Sequence, residues 1–529
     1  MSMDALTGTV ALMRFTLRRD RVWISIWVIA IALVVFLTAI GMRAVLPTQA
    51  SIDQAAAASQ NNAGVIAFNG PAQGLDTLGG QVAFQVGAGG MVVVALMSLL
   101  TIGRYTRGDE EAGRLELVRS LPVGPHAPTI AALLTVGAMN AAVAALVSAS
   151  LMAVGLPAAG SLVLGVSFGV VGLFFAGAAL VAAQVTENTR AVYGTGVALV
   201  GLAYAIRIVG DIGDGTLSWF SPIGMAQKAR PFAGERWWPL LLVFAATLTL
   251  IAVAFRLAAR RDHGSGLIAP RPGQIAAAPG LGHPLGLALR LQRGSLIGWG
   301  AGVLVFGVAY GWMAPAIGSF VANNQAFTQL MASAGAGSLT DIYFATSLRV
   351  LALIASGFAI QSALRLRGEE SALRAEPVLA TPVSRWRWGA SHLGIALGGC
   401  VALLAITGLA TGVSYAIVGG PWASVPRLLV ASLVYAPAMW LMIGLAVVVF
   451  GFAPRWVDVA WAILAGCFVV GLLGAVLRLP DWVQEMSPFQ RTPALPAATL
   501  DVLPLATLTL LAAVLILTGL WGFRRRDVG

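Results

Sequence analysis

The 529-residue chain carries a single lysine, Lys228, and only 10% charged side chains. A P-loop needs a GxxxxGK[ST] segment whose lysine reaches the terminal phosphates. Lys228 follows Gln227 instead, so the chain is not its own ATPase. Only two cysteines occur, Cys400 and Cys467, both in apolar runs; no structural disulfide and no cysteine-ligated metal site are expected. The four histidines, His126, His263, His283 and His392, lack ligand spacing, and no HExxH occurs. The expectation is a chain without catalytic residue, metal or cofactor of its own. Carboxylates are almost missing from the apolar runs: Glu187 and Asp458 lie near run ends and the other acids in polar segments. That argues against a proton relay.

What the chain does have is apolar length. Hydrophobic residues make up 58% of it, and many runs approach 20 residues, the number that crosses roughly 30 Å of hydrocarbon. A soluble protein is excluded. The net charge of +11 is spread between apolar runs rather than clustered, which points to anionic lipid headgroups and away from nucleic acid. No cleavable signal peptide is expected, because the first apolar run follows a long polar start and has full span length.

Read in order, the chain opens with an amphipathic segment, Leu6, Val10, Met13 and Leu17 on one side and Thr7, Arg14, Arg18 and Arg21 on another. This suits an elbow helix in the membrane interface; the plainer alternative is a basic flank that only fixes topology. Spans 1 to 6 are expected at 22–42, 81–102, 128–153, 161–185, 191–210 and 237–259. A polar segment after span 1 holds Ser51 and Gln54, which resemble a capping box and predict a helix. A Pro/Gly-rich linker (261–284) leads to a second basic elbow, Leu285 to Arg293, and to spans 7 to 12 at 295–314, 342–364, 388–418, 427–452, 457–477 and 503–523. An outer segment with Asn323, Asn324 and Gln325 follows span 7. The fold class is therefore all-α, a polytopic membrane protein of about twelve helices in two homologous six-helix halves, 1–260 and 285–529.

With the amino terminus inside, 24 of the 33 basic residues fall in inner segments and seven in outer ones, with Arg207 and Arg349 inside spans. The positive-inside rule requires that asymmetry and places both termini in the cytoplasm. Trp23, Trp237, Trp238, Trp386, Trp388 and Trp521 fall at span ends, as interfacial aromatics do. Small pairs at fourfold spacing, Gly165/Gly169, Gly298/Gly302, Gly307/Gly311, Gly394/Gly398 and Gly408/Gly412, predict close helix packing.

One polar stretch occurs twice. Arg107 to Val123 (RGDEEAGRLELVRSLPV) and Arg367 to Val383 (RGEESALRAEPVLATPV) match at a fixed offset: Arg107 with Arg367, Asp109 with Glu369, Glu110 with Glu370, Arg114 with Arg374, Glu116 with Glu376, Pro122 with Pro382. Loops that merely solvate one face of the membrane would explain charge but not the matched order. Ser221-Pro222 and Ser487-Pro488, each before the last span of its half, are a second repeated element.

Elbow, two spans, a charged E…R.E…PV loop, three more spans and an outer Ser-Pro segment before the sixth resemble the membrane subunit of ABC-2 type exporters. The fused, two-half form is similar to the tetronasin-resistance kind of bacterial antibiotic and multidrug export permease. The resemblance implies a bacterial cytoplasmic membrane protein that exports hydrophobic or amphipathic compounds, and two copies of a soluble ATPase partner that holds the ATP and Mg. It implies that Glu110, Glu111, Arg114, Glu116, Glu369, Glu370, Arg374 and Glu376 couple the chain to that ATPase. Pro377, where the first copy has Leu117, is expected to bend the second coupling helix. Cavity walls are expected from spans 2, 5, 8 and 11, with Phe84, Gln85, Met91, Tyr204, Phe344, Arg349, Phe358, Trp461 and Phe468 offering adaptable apolar contact. Ordinary helix packing is the alternative role for each. Arg349 is the sharpest of them, since an arginine inside a span needs a cavity or a partner. Two other classes stand beside this reading. A major-facilitator secondary transporter also has twelve spans, but the long inner repeat loops and the scarcity of buried acids count against it. A nonconducting scaffold leaves the duplicated loops unexplained.

Overall fold

The computed structural model describes residues 3–60, 63–260, 266–267, 276–322, 338–473 and 480–526. Among them every regular element is helical, and twelve helices are long and apolar enough to cross a membrane. The protein is an all-α polytopic membrane protein. It divides into two compact units, 1–272 and 273–529; the boundary falls within the linker, most of which lies outside the described residues.

In the first unit the spans run Arg21–Val45, Leu78–Gly103, Ala127–Ala153, Ala158–Val185, Thr189–Ile212 and Trp238–Ala258. Spans 2 and 4 form the buried centre, where Met91, Val94, Phe168 and Phe175 are almost wholly enclosed. Span 1 turns Ile26, Ile29, Leu33 and Val34 outward, as a lipid-facing helix must. The basic elbow is a separate helix, Thr9–Arg19, broken from span 1 at Asp20. The buried Asp20 carboxylate accepts from Arg19 (2.9 Å) and Arg104 (2.7 Å), pinning that break to the end of span 2. The expected helix after span 1 exists as Gln49–Gln60 and Ala63–Asn69. Its reciprocal cap lies three residues earlier than the sequence suggested: Thr48 N–H donates to Ser51 Oγ (3.2 Å) and Ser51 N–H to Thr48 Oγ1 (3.3 Å).

In the second unit the spans run Pro284–Ala322, Leu339–Ala363, Arg385–Ile417, Ser424–Phe452 in two pieces, Val459–Leu473 and Val502–Arg525. Two expectations change here. The second elbow is not a separate helix but continues straight into span 7. Buried Gln292 fixes it there, its Nε2 facing His392 Nδ1 at 3.3 Å and its Oε1 accepting from Ser362. Span 10 is broken into Ser424–Leu433 and Ala436–Phe452, because Pro437 offers no N–H to the Leu433 carbonyl and its ring crowds it. Asn323, Asn324 and Gln325, and the expected end of span 11, lie outside the described residues.

Close approach happens at three of the five small pairs. A Cβ on Gly169 would lie 3.1 Å from Asn140 O, one on Gly307 3.1 Å from Thr407 O, and one on Gly412 2.8 Å from Val425 Cα. Gly298, Gly302 and Gly398 meet nothing within 4 Å, and Gly394 only Leu285 Cδ1 at 3.9 Å; these two pairs lie away from helix crossings. The tight crossing of spans 10 and 12 uses Gly451 and Gly519, glycines from different spans that no spacing rule within one helix could pair.

Candidate functional site

Span 2 does not stop at Gly103. A wide turn of π-type helix, Arg104–Gly108, carries it into a short helix, Asp109–Glu111. The chain then reverses at Gly113, whose φ of 68° lies in the left-handed region that glycine enters without steric cost, and continues as Arg114–Arg119. Arg107 points inward and is 1% exposed; its Nε donates to Ala183 O (2.6 Å) at the end of span 4, and its Nη1 to Glu110 Oε2 (2.9 Å). Glu111 reaches the start of span 5, accepting from Thr189 N–H (2.7 Å) and Thr189 Oγ1 (2.9 Å). A carboxylate there satisfies an orphan helix donor and meets the positive end of the helix dipole.

The second copy repeats this geometry. Arg365–Ser371 is followed by a left-handed residue, Leu373 (φ 56°), and a short helix, Ala375–Leu379. Gly113 and Leu373 are equivalent positions. So are two ion pairs: Arg114–Asp109 (2.7 Å) with Arg374–Glu369 (2.9 Å), and Arg107–Glu110 (2.9 Å) with Arg367–Glu370 (3.7 Å). Glu369 and Glu370 are both buried. Glu369 also receives Arg365 (2.6 Å), and Glu370 receives Arg526 from the end of span 12.

The eight residues assigned to coupling therefore separate into two sets. Glu110, Glu369 and Glu370 are turned into their own unit, whereas Glu111 is exposed yet tied to Thr189; Glu110, Glu111 and Glu370 brace the turns against spans 4, 5 and 12, and Glu369 closes its turn through Arg365 and Arg374. Arg114, Glu116, Arg374 and Glu376 are exposed, as are Leu117, Leu121 and Leu373. Pro377 does not bend the second helix. It is the third residue of Ala375–Leu379, within the first turn, where the backbone N–H has no intrahelical acceptor to lose.

The nine residues read as cavity walls do not converge on one place. Phe84 and Met91 line a pocket in the first unit, whereas Gln85 is exposed. Tyr204 donates its hydroxyl to Phe68 O (2.7 Å), and Arg207 stacks 4.4 Å over its ring. Phe344 and Phe358 are buried, the first against Tyr415 and the second against Gly399. Trp461 is exposed and Phe468 packs at the edge of the second unit's core. Arg349 finds a partner: it donates to Gln490 Oε1 on the short helix Pro488–Arg491 that follows Ser487.

Sequence reading missed one buried ion pair. Span 5 extends to Ile212, so Asp211 is inside it and not in the polar segment; it pairs with Arg207 at 3.3 Å, with both side chains fully enclosed. Arg207 also donates to the carbonyls of Ala67 and Phe68, and so clamps the helix Ala63–Asn69. The four-residue spacing of Arg207 and Asp211 was the available signal.

No group of three or more side chains that could hold a metal ion occurs among the described residues. Comparison with known proteins gives two findings. The model of a family described as "Multidrug efflux system permease Rv1217c, C-terminal domain" matches residues 281–524. The multidrug efflux system permease protein Rv1217c of Mycobacterium tuberculosis (strain ATCC 25618 / H37Rv) is 38% identical over 527 residues, covering 99% of this chain and 95% of that relative.

Proposed function

The chain belongs to the family of the multidrug efflux system permease Rv1217c, and from that premise we propose that it is the membrane subunit of an ATP-driven ABC exporter of hydrophobic or amphipathic drugs. Two copies of a soluble ATPase supply the ATP and Mg chemistry, and this chain supplies the path and the lever. The charged turns and both termini face the cytoplasm of a bacterial cell. One observation carries the reading: the same two ion pairs brace the same reverse turn in both units, at a fixed offset, each leaving an arginine and a glutamate outside. A solvated loop has no need of such duplication.

The bracing gives the mechanism its steps. A push on the exposed edge around Arg114, Glu116 and Leu117 reaches span 4 through Arg107 and span 5 through Glu111. A push around Leu373, Arg374 and Glu376 reaches span 12 through Glu370 and Arg526. Interface charges set register and specificity, and the exposed leucines supply apolar area.

The test is co-expression with a soluble ATPase encoded beside the permease gene. The two proteins should co-purify, and reversing Glu116 and Glu376 together should weaken that association and the stimulated ATPase rate while protein levels hold. Export that persists without any ATPase and collapses when the proton gradient is dissipated would sink the proposal in favour of a secondary transporter.

A further inference from the structure

At the end of the first unit remote from its charged turn, the ends of spans 1 to 4 and the loop before span 6 border a cavity of about 370 Å³. A second hollow of about 350 Å³ adjoins it and runs down the outward side of spans 1 and 3. Arg43 and Val154 line both, so the two form one groove with a polar head and an apolar tail. Each part lies within the size range of small-molecule sites.

The head holds two opposite charges that do not meet. Arg43 Nη1 donates to Val154 O at the end of span 3, and it passes so close to Gly155 that a Cβ there would lie 3.3 Å from that nitrogen. This contact fixes the guanidinium and leaves most of its five N–H donors open; Arg43 is exposed. Glu235, on the other side of the cavity lining, is half-buried, and among the described residues it makes no hydrogen bond and no ion pair. Among the same residues no carboxylate comes within 4.0 Å of Arg43. The loop that carries Glu235 is held on both sides. The Phe232 ring is wedged where side chains at Gly79 and Gly160 would be, and Arg236 N–H donates to Ala229 O (2.8 Å). Two fixed, opposite and unneutralised charges lining one cavity complement a zwitterion better than a simple anion or cation.

The depth of the groove points to a lipid. Trp237 and Trp238, both exposed, directly follow Arg236, and such aromatics mark the headgroup level of a bilayer. Ile40 and Phe36 line the tail one and two turns below Arg43; seven residues of helix place Phe36 about 10 Å deeper. We propose that this groove binds one phospholipid with a zwitterionic phosphoethanolamine head. The phosphate accepts from Arg43, the primary ammonium donates to Glu235, and one acyl chain lies along Ile40 and Phe36. A choline head has the same charges but no N–H, and a glycerol head has no cation, so neither completes the pair. The proposal concerns a lipid on the flank of the first unit and stands whether or not the efflux reading does.

The test uses the full chain in detergent, with the affinity of the first bound lipid read by native mass spectrometry. The probes are dioleoyl phosphatidylethanolamine, phosphatidylcholine and phosphatidylglycerol, and tail-free glycerophosphoethanolamine. The ethanolamine lipid should bind about three- to fivefold more tightly than the other two lipids, the scale of a partly exposed ion pair. The tail-free head should bind at least tenfold more weakly, because it buries no acyl chain. Glu235→Gln should erase the preference among the lipids, and Arg43→Gln should weaken all three. Ala153→Phe provides an independent block: Ala153 lines the tail and is exposed, so the ring fills the groove without touching either charge. Arg236→Gln, beside Glu235 but outside the lining, should bind like the parent. Equal affinity for the three lipids, a preference that survives Glu235→Gln, parental affinity in Arg43→Gln or Ala153→Phe, or equal binding of the tail-free head would overturn the proposal. If Arg43→Gln fails to fold for want of its tie to Val154 O, Glu235→Gln and Ala153→Phe decide.

Discussion

Glu370 should matter for stability before it matters for anything else. Its side chain is 3% exposed and meets Arg526, itself 19% exposed and lying 4.7 Å over the Phe450 ring and 5.4 Å over the Phe523 ring. Arg526 Nε is already buried without an acceptor, so Glu370→Ala leaves a guanidinium among aromatic rings with its main counter-charge gone. Breaking one side of such a pair costs about 3 kcal/mol. For a unit of this size that is a fall of roughly 6–12 °C in apparent Tm. Arg367, at 3.7 Å and more exposed, loses the same carboxylate and adds little to that cost. Replacing both partners by methionine should be nearly neutral, since an apolar pair of similar volume avoids the desolvation of both ions. A double-mutant cycle on thermal unfolding in detergent should therefore return a coupling of at least about 3 kcal/mol between Glu370 and Arg526, since the double change avoids the cost of each single one. Coupling under about 0.5 kcal/mol, or a Glu370→Ala variant with parental Tm, would refute the idea that this pair braces the turn. Glu376→Ala, on the exposed edge, should leave the Tm unchanged in the same experiment.

Two further predictions address strain and topology. Leu373→Gly removes a side chain from a left-handed position that costs roughly 1–2 kcal/mol, so it should raise the Tm, while Gly113→Leu should lower it by a similar amount; opposite signs would show that neither turn is strained. Cysteines placed at Thr216 and Ala372, both exposed, should label from opposite sides of intact cells, Thr216 from outside and Ala372 only after permeabilisation. The reverse pattern would place the charged turns outside and remove the coupling proposal.

Twelve helices were legible because span length is dictated by hydrocarbon thickness, and the apolar runs record it directly. Their boundaries were legible where a cap or a glycine marks them. Interruptions inside an apolar run were harder. Pro437 breaks span 10 between two stretches that read as one, and Asp211 belongs to a helix that its charge seemed to end. The charged repeat was legible as a pattern but not as a surface. Alignment pairs Glu370 with Glu110, yet only the fold reveals that Arg526 and Arg107 turn both carboxylates inward. Pro377 was misread for a related reason. The rule that proline bends a helix depends on its position within the helix, and the sequence alone did not reveal that it stands in a first turn.

The ties that brace the two turns also set an order in time. Glu111 is held by Thr189, 78 residues further along the chain, whereas Glu370 is held by Arg526, 156 residues further along. At synthesis rates of about 5–20 residues per second, the second turn waits on the order of ten seconds or more for its brace, against roughly half that for the first. During that interval Glu369 already has Arg365 and Arg374 close by in the chain, but Glu370 has only Arg367. The first unit can thus lock its turn while the second is still being made, and the nascent second turn is the stretch on which a quality-control protease or a chaperone has the longest purchase.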